Sequence, residues 1–256
     1  KIFISFEKDR FSLIDKIAKK SNFSIIKTKQ KQDNERFLSS ITGKVLIVSS
    51  NNNYLFPKKI LNKKNMDIIN FHNSYLPYYR GRNAQIWAIY NMEKFGGYTW
   101  HYISNSGLDA GPIIYRKKIR IFQNTTGIEL TKRCMNGGSR AFEFFFKNIL
   151  NSQNKKILPF KKFGKLYYSS EVPNNGMLNL KWSIKKISAF LRCMDFKPLN
   201  FFPNQYFYSK KKKYYISNYK ILTTKPSKKK KFFLNNKKII KEEIKKIFIY
   251  HGKKNN

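Results

Sequence analysis

The alternation of short apolar segments with helix-like segments in the first 72 residues constrains the fold most. The run Val45–Val48 is continuously apolar, which is typical of a central strand covered on both faces. Strands are expected near residues 1–5, 23–28, 44–49 and 67–72, and helices over Phe11–Lys19 and Pro57–Lys64. Strands that alternate with helices predict a parallel sheet with right-handed crossovers.

The elements after His72 are less regular. A turn-rich loop reaches Arg82, and the patterning then predicts a helix over 83–92, a strand over 98–103, a loop over 104–111, a strand over 112–121 and a helix over 126–150 that Gly137-Gly138 could break. A further helix is expected over 183–195. We therefore expect an α/β domain over 1–150, a linker with one helix over 151–200, and a small lysine-rich β appendage over 201–256.

The formal net charge of +39 points to a polyanionic partner, either nucleic acid or an acidic membrane surface. Sites that grip phosphate in a bidentate manner prefer arginine, yet arginine supplies only nine of the 53 basic residues. The lysine surplus runs along the whole chain together with Asn, Ile, Phe and Tyr, the mixture that AT-rich codons produce. The charge is therefore interpreted as compositional drift rather than as a surface that binds a polyanion. The lysine runs 210–213 and 228–231 are interpreted as solvated turns.

The sequence favours neither a membrane-spanning protein nor a secreted one. Apolar residues are never gathered into a block of about 18 residues, and Lys1–Ser5 resembles a short strand more than a secretory signal. The sequence therefore predicts a cytoplasmic protein without a membrane span. The two cysteines, Cys134 and Cys193, lack the paired spacing of a zinc site, and no metal site is predicted.

Three polar residues are candidates for a reaction centre. Asn70 and His72 are two positions apart in a predicted strand, so both side chains point to the same face. They lie at the carboxyl end of that strand, where ligand crevices of open α/β sheets are found. Asp109, in a loop between two later strands, can reach the same edge of the sheet.

These residue types suit acyl transfer to an amine. The amine must lose a proton after it attacks the carbonyl, and a histidine titrates in the required range. The amide of Asn70 can stabilise the oxyanion of the tetrahedral intermediate, an effect of about 3–4 kcal/mol in comparable sites. Asp109 would orient or charge-stabilise the imidazole. The substrate amine is itself the nucleophile.

Three ordered motifs carry a resemblance: Asn70-x-His72, then Ser74-x-Leu76-Pro77-x-x-Arg80-Gly81, then Gly107-x-Asp109-x-Gly111-x-Ile113. Together they resemble the folate-dependent formyltransferase family, which includes methionyl-tRNA formyltransferase and the sugar N-formyltransferases. The resemblance implies a Rossmann-like domain that binds 10-formyltetrahydrofolate as co-substrate, with Asn70, His72 and Asp109 as the catalytic residues.

The resemblance also implies binding residues. Those implied to bind the folate are Ser49, Asn51, Tyr54, Leu55, Leu76, Ile103, Gly107 and Leu108. Those implied to bind the acceptor are Tyr75, Pro77, Arg80 and Gly81, although simple packing is an equal alternative for Leu76 and Pro77. His101, in a Thr-x-His sequence, is interpreted as a structural residue packed near the site.

The acceptor stays open at this level. The segment from Arg82 to Ile89 resembles the branch that formylates nucleotide-linked amino sugars for surface polysaccharide, such as lipopolysaccharide. The alternative is a methionyl-tRNA formyltransferase. The large positive charge of the chain favours this alternative, whereas the short C-terminal segment argues against it. A third hypothesis is a non-enzymatic RNA- or membrane-surface-binding protein on a formyltransferase scaffold. Independently of the acceptor, the protein could form a homodimer. The loop Phe6–Asp9 departs from the family pattern.

Overall fold

The structure is a computed structural model that describes residues 3–7, 20–21, 24–28, 31–150, 163–209, 211–223, 237–242 and 245–252. The predicted helix over Phe11–Lys19 and the lysine run 228–231 lie outside these residues.

The described first half of the chain contains seven strands and four helices, and between Ser24 and His72 the strands alternate with helices. These elements are β1 (Phe3–Glu7), β2 (Ser24–Thr28), α1 (Lys31–Ser40), β3 (Val45–Ser50), α2 (Lys58–Leu61), β4 (Met66–His72), β5 (Arg80–Gly81), α3 (Ala84–Tyr90), β6 (Phe95–Tyr102), β7 (Ile113–Arg120) and α4 (Gly127–Leu150). Helix α1 was not predicted, and the helix expected over Pro57–Lys64 shortens to α2.

The central sheet has the order β3-β4-β6-β7. Strands β3 and β4 are parallel, as β1 and β2 are in their own pair, whereas β6 joins β4 antiparallel and β7 joins β6 antiparallel. The predicted α/β fold class is confirmed. The register places Ser49 beside Asn70 and Asn70 beside His101, so polar residues from three neighbouring strands lie in one row at the edge of the sheet.

Helix α4 runs unbroken through Gly137-Gly138, so the possible break there does not occur. Both glycines face the sheet, where an added Cβ at Gly138 would lie 2.0 Å from the Phe71 ring and one at Gly137 would lie 2.6 Å from the Tyr98 ring. The missing side chains allow the helix backbone to approach β4 and β6 closely. The tight contact compensates for the weak helix propensity of glycine.

The C-terminal part contains a short strand, a 3-10 helix, a longer helix and a β-sheet. These elements are β8 (Leu166–Tyr167), the 3-10 helix Pro173–Gly176, α5 (Ile184–Cys193), β9 (Tyr206–Ser209), β10 (Lys212–Thr223), β11 (Lys237–Glu242) and β12 (Lys245–Gly252). The last four strands form an antiparallel sheet in the order β11-β12-β10-β9, which confirms the β-rich appendage.

A single core joins the appendage to the rest. Phe207, Ile216 and Ile249 from the C-terminal sheet belong to the same buried cluster as Ile69 and Phe71 of β4. Within the part of the chain that the structure describes, no helix has the length and apolar character needed to cross a bilayer.

We expect Gly138→Ala to destabilise the protein. Replacing a glycine by alanine inside a helix normally raises the free energy of unfolding by about 1 kcal/mol. Here the new methyl group would collide with Phe71, and overpacking of this kind lowers the free energy of unfolding by about 1–3 kcal/mol. Urea unfolding should therefore show a lower free energy of unfolding than for the wild type. Ser139→Ala, at an exposed position of the same helix, is the control and should be neutral or slightly stabilising. A Gly138→Ala protein at least as stable as this control would contradict the proposed close approach.

Candidate active site

The carboxyl end of β4 holds the first two candidate residues. Ile68, Ile69 and Phe71 of this strand are buried, and they anchor it between β3 and β6. Asn70 and His72 therefore project from a rigid element rather than from a loop. The His72 side chain is itself buried, with 7 % of its surface exposed.

Asp109 reaches the same edge from the loop between β6 and β7. The loop is tight, because a Cβ at Gly111 would lie 1.8 Å from the Tyr102 carbonyl oxygen. Asp109 adopts a left-handed backbone conformation with φ of 50°, which an aspartate tolerates better than most residues. Its Oδ2 accepts a hydrogen bond of 2.8 Å from the backbone N–H of Gly81. The carboxylate thus connects the β6–β7 loop to β5.

The structure brings Asn70, His72 and Asp109 together through one carboxylate. Asp109 Oδ2 lies 3.5 Å from His72 Nδ1, and its Oδ1 lies 3.4 Å from His101 Nε2. The Asn70 amide nitrogen lies 3.2 Å from the same His101 Nε2. A second histidine, His101, therefore joins the predicted trio, although the sequence analysis had interpreted it as a packing residue.

Backbone carbonyls determine where the hydrogens of the two imidazoles lie. His72 Nε2 is 2.9 Å from the Tyr79 oxygen and His101 Nδ1 is 2.9 Å from the Tyr102 oxygen, and a carbonyl oxygen can only accept. In their neutral forms, His72 therefore keeps its lone pair on Nδ1, beside Asp109, and His101 keeps its lone pair on Nε2. Asn70 donates one amide hydrogen to that lone pair and retains a second.

Burial and charge act in opposite directions on this cluster. Desolvation lowers the pKa of His72, although the charge of Asp109 and the bond to Tyr79 partly oppose the change. Burial by itself would raise the pKa of Asp109, but the protonated forms of His72 and His101, together with the Gly81 N–H, outweigh it and hold that pKa well below its usual range. At neutral pH the site contains a carboxylate next to a neutral imidazole that can accept a proton at Nδ1.

The residues implied to bind the folate lie around the same edge. Ser49 is buried beside Asn70, and the Ile103 N–H donates to the Ile68 oxygen of β4. The segment that contains Asn51, Tyr54 and Leu55 follows β3, and its position is secured by Arg82, whose guanidinium donates to Asn53. Gly107 and Leu108 belong to the loop that carries Asp109. Leu76 is fully buried and packs inside the protein. Packing was the alternative to folate binding that the sequence analysis left open for this residue. Their roles in binding stay predictions.

The residues implied to bind the acceptor divide into two groups. Arg80 donates to the carbonyl oxygens of Gly164 and Leu108, and Pro77 accepts from the Gly164 N–H. Both residues therefore lie where the segment 163–167 contacts the loop that follows β4. Gly81 adopts a left-handed conformation with φ of 85°. A glycine is required at this position because a Cβ there would lie 2.2 Å from the Tyr167 oxygen. Tyr75 instead lies under Arg116, 4.4 Å from the guanidinium carbon to the ring centre, on another side of the loop.

The pattern of the formyl transferase family matches residues 7–143, more than half of the chain. The chain belongs to the formyl transferase family. Among curated relatives, it is 28 % identical over 177 residues to GDP-perosamine N-formyltransferase of Brucella melitensis, covering 69 % of this chain and 65 % of the relative. It is 30 % identical over 202 residues to methionyl-tRNA formyltransferase of Clostridium tetani, covering 78 % of this chain and 63 % of the relative. The matches thus span less than two thirds of these relatives' lengths.

Solved structures agree on the fold of this formyl transferase family member. The N-formyltransferase of Helicobacter canadensis, in complex with folinic acid and dTDP-3-aminofucose, superposes with a TM-score of 0.73 over 96 % of this chain and 87 % of that chain, at 19 % identity. A sugar 3N-formyltransferase crystallised with dTDP and 5-N-formyl-THF gives a TM-score of 0.75 over 98 % of this chain and 87 % of that chain, at 20 % identity.

The buried His72 should make the protein acid-sensitive. Its pKa in the folded state is lowered by desolvation, so the unfolded chain binds a proton first, from about pH 6.5 downward, and stability falls as the pH drops through that range. We expect His72→Asn to flatten the decline of Tm between about pH 7 and pH 5, where Asp109 stays ionised. Differential scanning calorimetry measures this, and equal slopes for the variant and the wild type would contradict it.

Proposed function

We propose that the protein transfers the formyl group of 10-formyltetrahydrofolate to the primary amine of a nucleotide-linked amino sugar. The observation that carries the proposal is the buried Asp109 carboxylate, which lies 3.5 Å from His72 and 3.4 Å from His101, with Asn70 donating to His101. This arrangement combines a proton acceptor, a charge that stabilises its protonated form, and an amide donor. Formyl transfer to an amine requires these three groups.

The segments after β3 and β6 fit a flat, mostly heteroaromatic co-substrate. Leu55 and Leu108 are exposed by 61 % and 43 %, which supplies apolar surface to cover a ring. The buried hydroxyl of Tyr54 has no hydrogen-bond partner among the described residues, so a polar ring atom could satisfy it. Family members that were crystallised with folates support the same co-substrate.

Each residue of the cluster has a separate task in the proposed reaction. As the amine adds to the formyl carbon, the second N–H of Asn70 donates to the developing oxyanion. His72 Nδ1 accepts the proton that the amine loses, and Asp109 stabilises the resulting imidazolium. His72 then returns the proton to the folate nitrogen as the old carbon–nitrogen bond breaks. The products are the formamide and tetrahydrofolate.

The nature of the acceptor is supported by two relatives. The Brucella relative acts on a GDP-linked amino sugar and the Helicobacter structure contains a dTDP-linked one, according to their names. Arg80 is well placed for an anionic acceptor, because it lies between Leu108, in the loop of Asp109, and the segment of Gly164. We place such an acceptor on the Arg80 side of the loop.

Substitutions in the cluster should lower turnover far more than binding. With 10-formyltetrahydrofolate and a nucleotide-linked 3-amino or 4-amino sugar, we expect His72→Asn to lower kcat about 10²–10⁴-fold because the proton acceptor is lost, and Asn70→Ala about 10²–10³-fold because an oxyanion donor is lost. Absorbance of released tetrahydrofolate measures both. Asp67→Asn, an exposed position of the same strand, is the matched control and should leave kcat unchanged. Near-wild-type turnover of His72→Asn would refute the assigned role.

Methionyl-tRNA formylation is the second candidate, favoured by the Clostridium relative and by the formal charge of +39. Each phosphate that a protein neutralises adds to the salt dependence of nucleic-acid binding, and six such contacts change the affinity about 10³-fold between about 50 and about 200 mM salt. If the acceptor is charged Met-tRNA, kcat/KM should fall steeply over that range. With a nucleotide-linked sugar it should change little. Turnover with neither acceptor would reject both functions.

A further inference from the structure

A cavity of ≈ 490 Å³, separate from the reaction centre, lies on another side of the loop that follows His72. It is bounded by residues of the segment 73–79, by α3, by the first residues of β6 and by Lys118 of β7. Neither Asn70, His72 nor Asp109 lines it. Its volume falls in the range of small-molecule sites, which is about 300–1,000 Å³. The cavity is therefore large enough for a ligand of its own.

The walls combine aromatic rings with free positive charge. Tyr75 and Phe95 line the cavity, and Lys118 Nζ lies 5.2 Å and 5.8 Å from the centres of their rings. Within the described ranges, neither Lys94 nor Lys118 forms an ion pair with a carboxylate. The acid in the wall, Glu93, is engaged by the Tyr79 hydroxyl at 2.8 Å. Aromatic faces next to unpaired cations favour a flat ligand that carries negative charge.

Two side-chain amides in the wall each have one atom without a partner among the described residues. Asn73 Oδ1 and Gln85 Nε2 are buried and form no hydrogen bond among the residues that the structure describes, and Gln85 is only 7 % exposed. Buried polar groups are ordinarily paired. The terminal torsions of these side chains are broad, so both amides can turn toward a ligand edge that donates to Asn73 and accepts from Gln85. A nucleobase presents such an edge.

The cavity is also connected to the reaction centre through Tyr79. This residue lines the cavity, its carbonyl oxygen accepts the hydrogen of His72 Nε2 at 2.9 Å, and its backbone is left-handed, with φ of 57°. A non-glycine residue in this conformation persists only where its surroundings hold it. A ligand against Tyr79 would therefore act directly on the partner that orients His72.

We propose that this cavity is a second binding site, for a nucleoside phosphate, and that its occupant acts on His72 through the Tyr79 carbonyl. The phosphate contacts Lys118, the base stacks against Tyr75 or Phe95, and the amide edge pairs with Asn73 and Gln85. The proposal does not depend on formyl transfer, because binding at the cavity can be measured without a reaction.

The test is calorimetric titration with uridine 5′-monophosphate, compared with uridine and with orthophosphate alone. Lys118→Gln should weaken nucleotide binding about tenfold or more, because a charged hydrogen bond is lost. Lys117→Gln, which replaces the neighbouring lysine of β7, is the matched control and should bind as the wild type does. Equal affinity of all three proteins, or no binding to the wild type, would overturn the site.

Two further measurements separate this site from the acceptor site proposed beside Arg80. If the affinity is lost in Arg80→Gln but kept in Lys118→Gln, the nucleotide binds at the acceptor site and the cavity proposal fails. In NMR spectra, the imidazole resonances of His72 should shift on addition of the nucleotide to the wild type and to Lys117→Gln, but not to Lys118→Gln. An unmoved His72 in a protein that binds at the cavity would overturn the coupling. Nucleotide binding without formyl transfer would instead reject only the proposed function.

Discussion

The buried carboxylate of Asp109 is the interaction on which the site depends. Its two oxygens lie near histidines from β4 and β6, and Oδ2 accepts from the backbone of β5, so a single charge connects three strands and a loop. A buried carboxylate is costly unless it is paired and hydrogen-bonded. Here Oδ2 accepts from the Gly81 N–H, and both oxygens face ring nitrogens that donate to them once the imidazoles are protonated. The same contacts that compensate for its desolvation also orient the imidazoles.

Because the carboxylate is shared, the site behaves as one unit. His101 contacts Asp109 and accepts from Asn70, and it thereby links the amide donor to the charge that faces His72. Carbonyl oxygens of Tyr79 and Tyr102 then assign the tautomers. The backbone therefore selects which nitrogen of each ring is basic. The proposed reaction uses this selection. Nδ1 of His72 is unprotonated and lies next to a charge that stabilises its protonated form, and, unlike Nε2 of His101, it is not occupied by the Asn70 amide.

The loop from Asn73 to Tyr79 has different surroundings on its two sides. Through the Tyr79 carbonyl it supports His72, and its residues Tyr75 and Tyr79 also form part of the wall of the cavity proposed as a nucleotide site. The motif Ser74-x-Leu76-Pro77 is thus partly a packing motif. Leu76 is fully buried and its N–H donates to the Thr99 hydroxyl, so this residue fixes the loop between the two sites.

The sequence by itself determined the fold class, the strand that carries Asn70 and His72, and the order of the three motifs, because apolar periodicity and turn residues are local signals. It did not reveal α1, the unbroken α4 or the participation of His101. Only the tertiary structure decided the last two, since they depend on which strands become neighbours. His101 lies opposite Asn70 solely because β6 joins β4 antiparallel in that register, and Gly137-Gly138 remain helical because Phe71 and Tyr98 pack against them. Such contacts join residues far apart in the chain, and no local pattern records them.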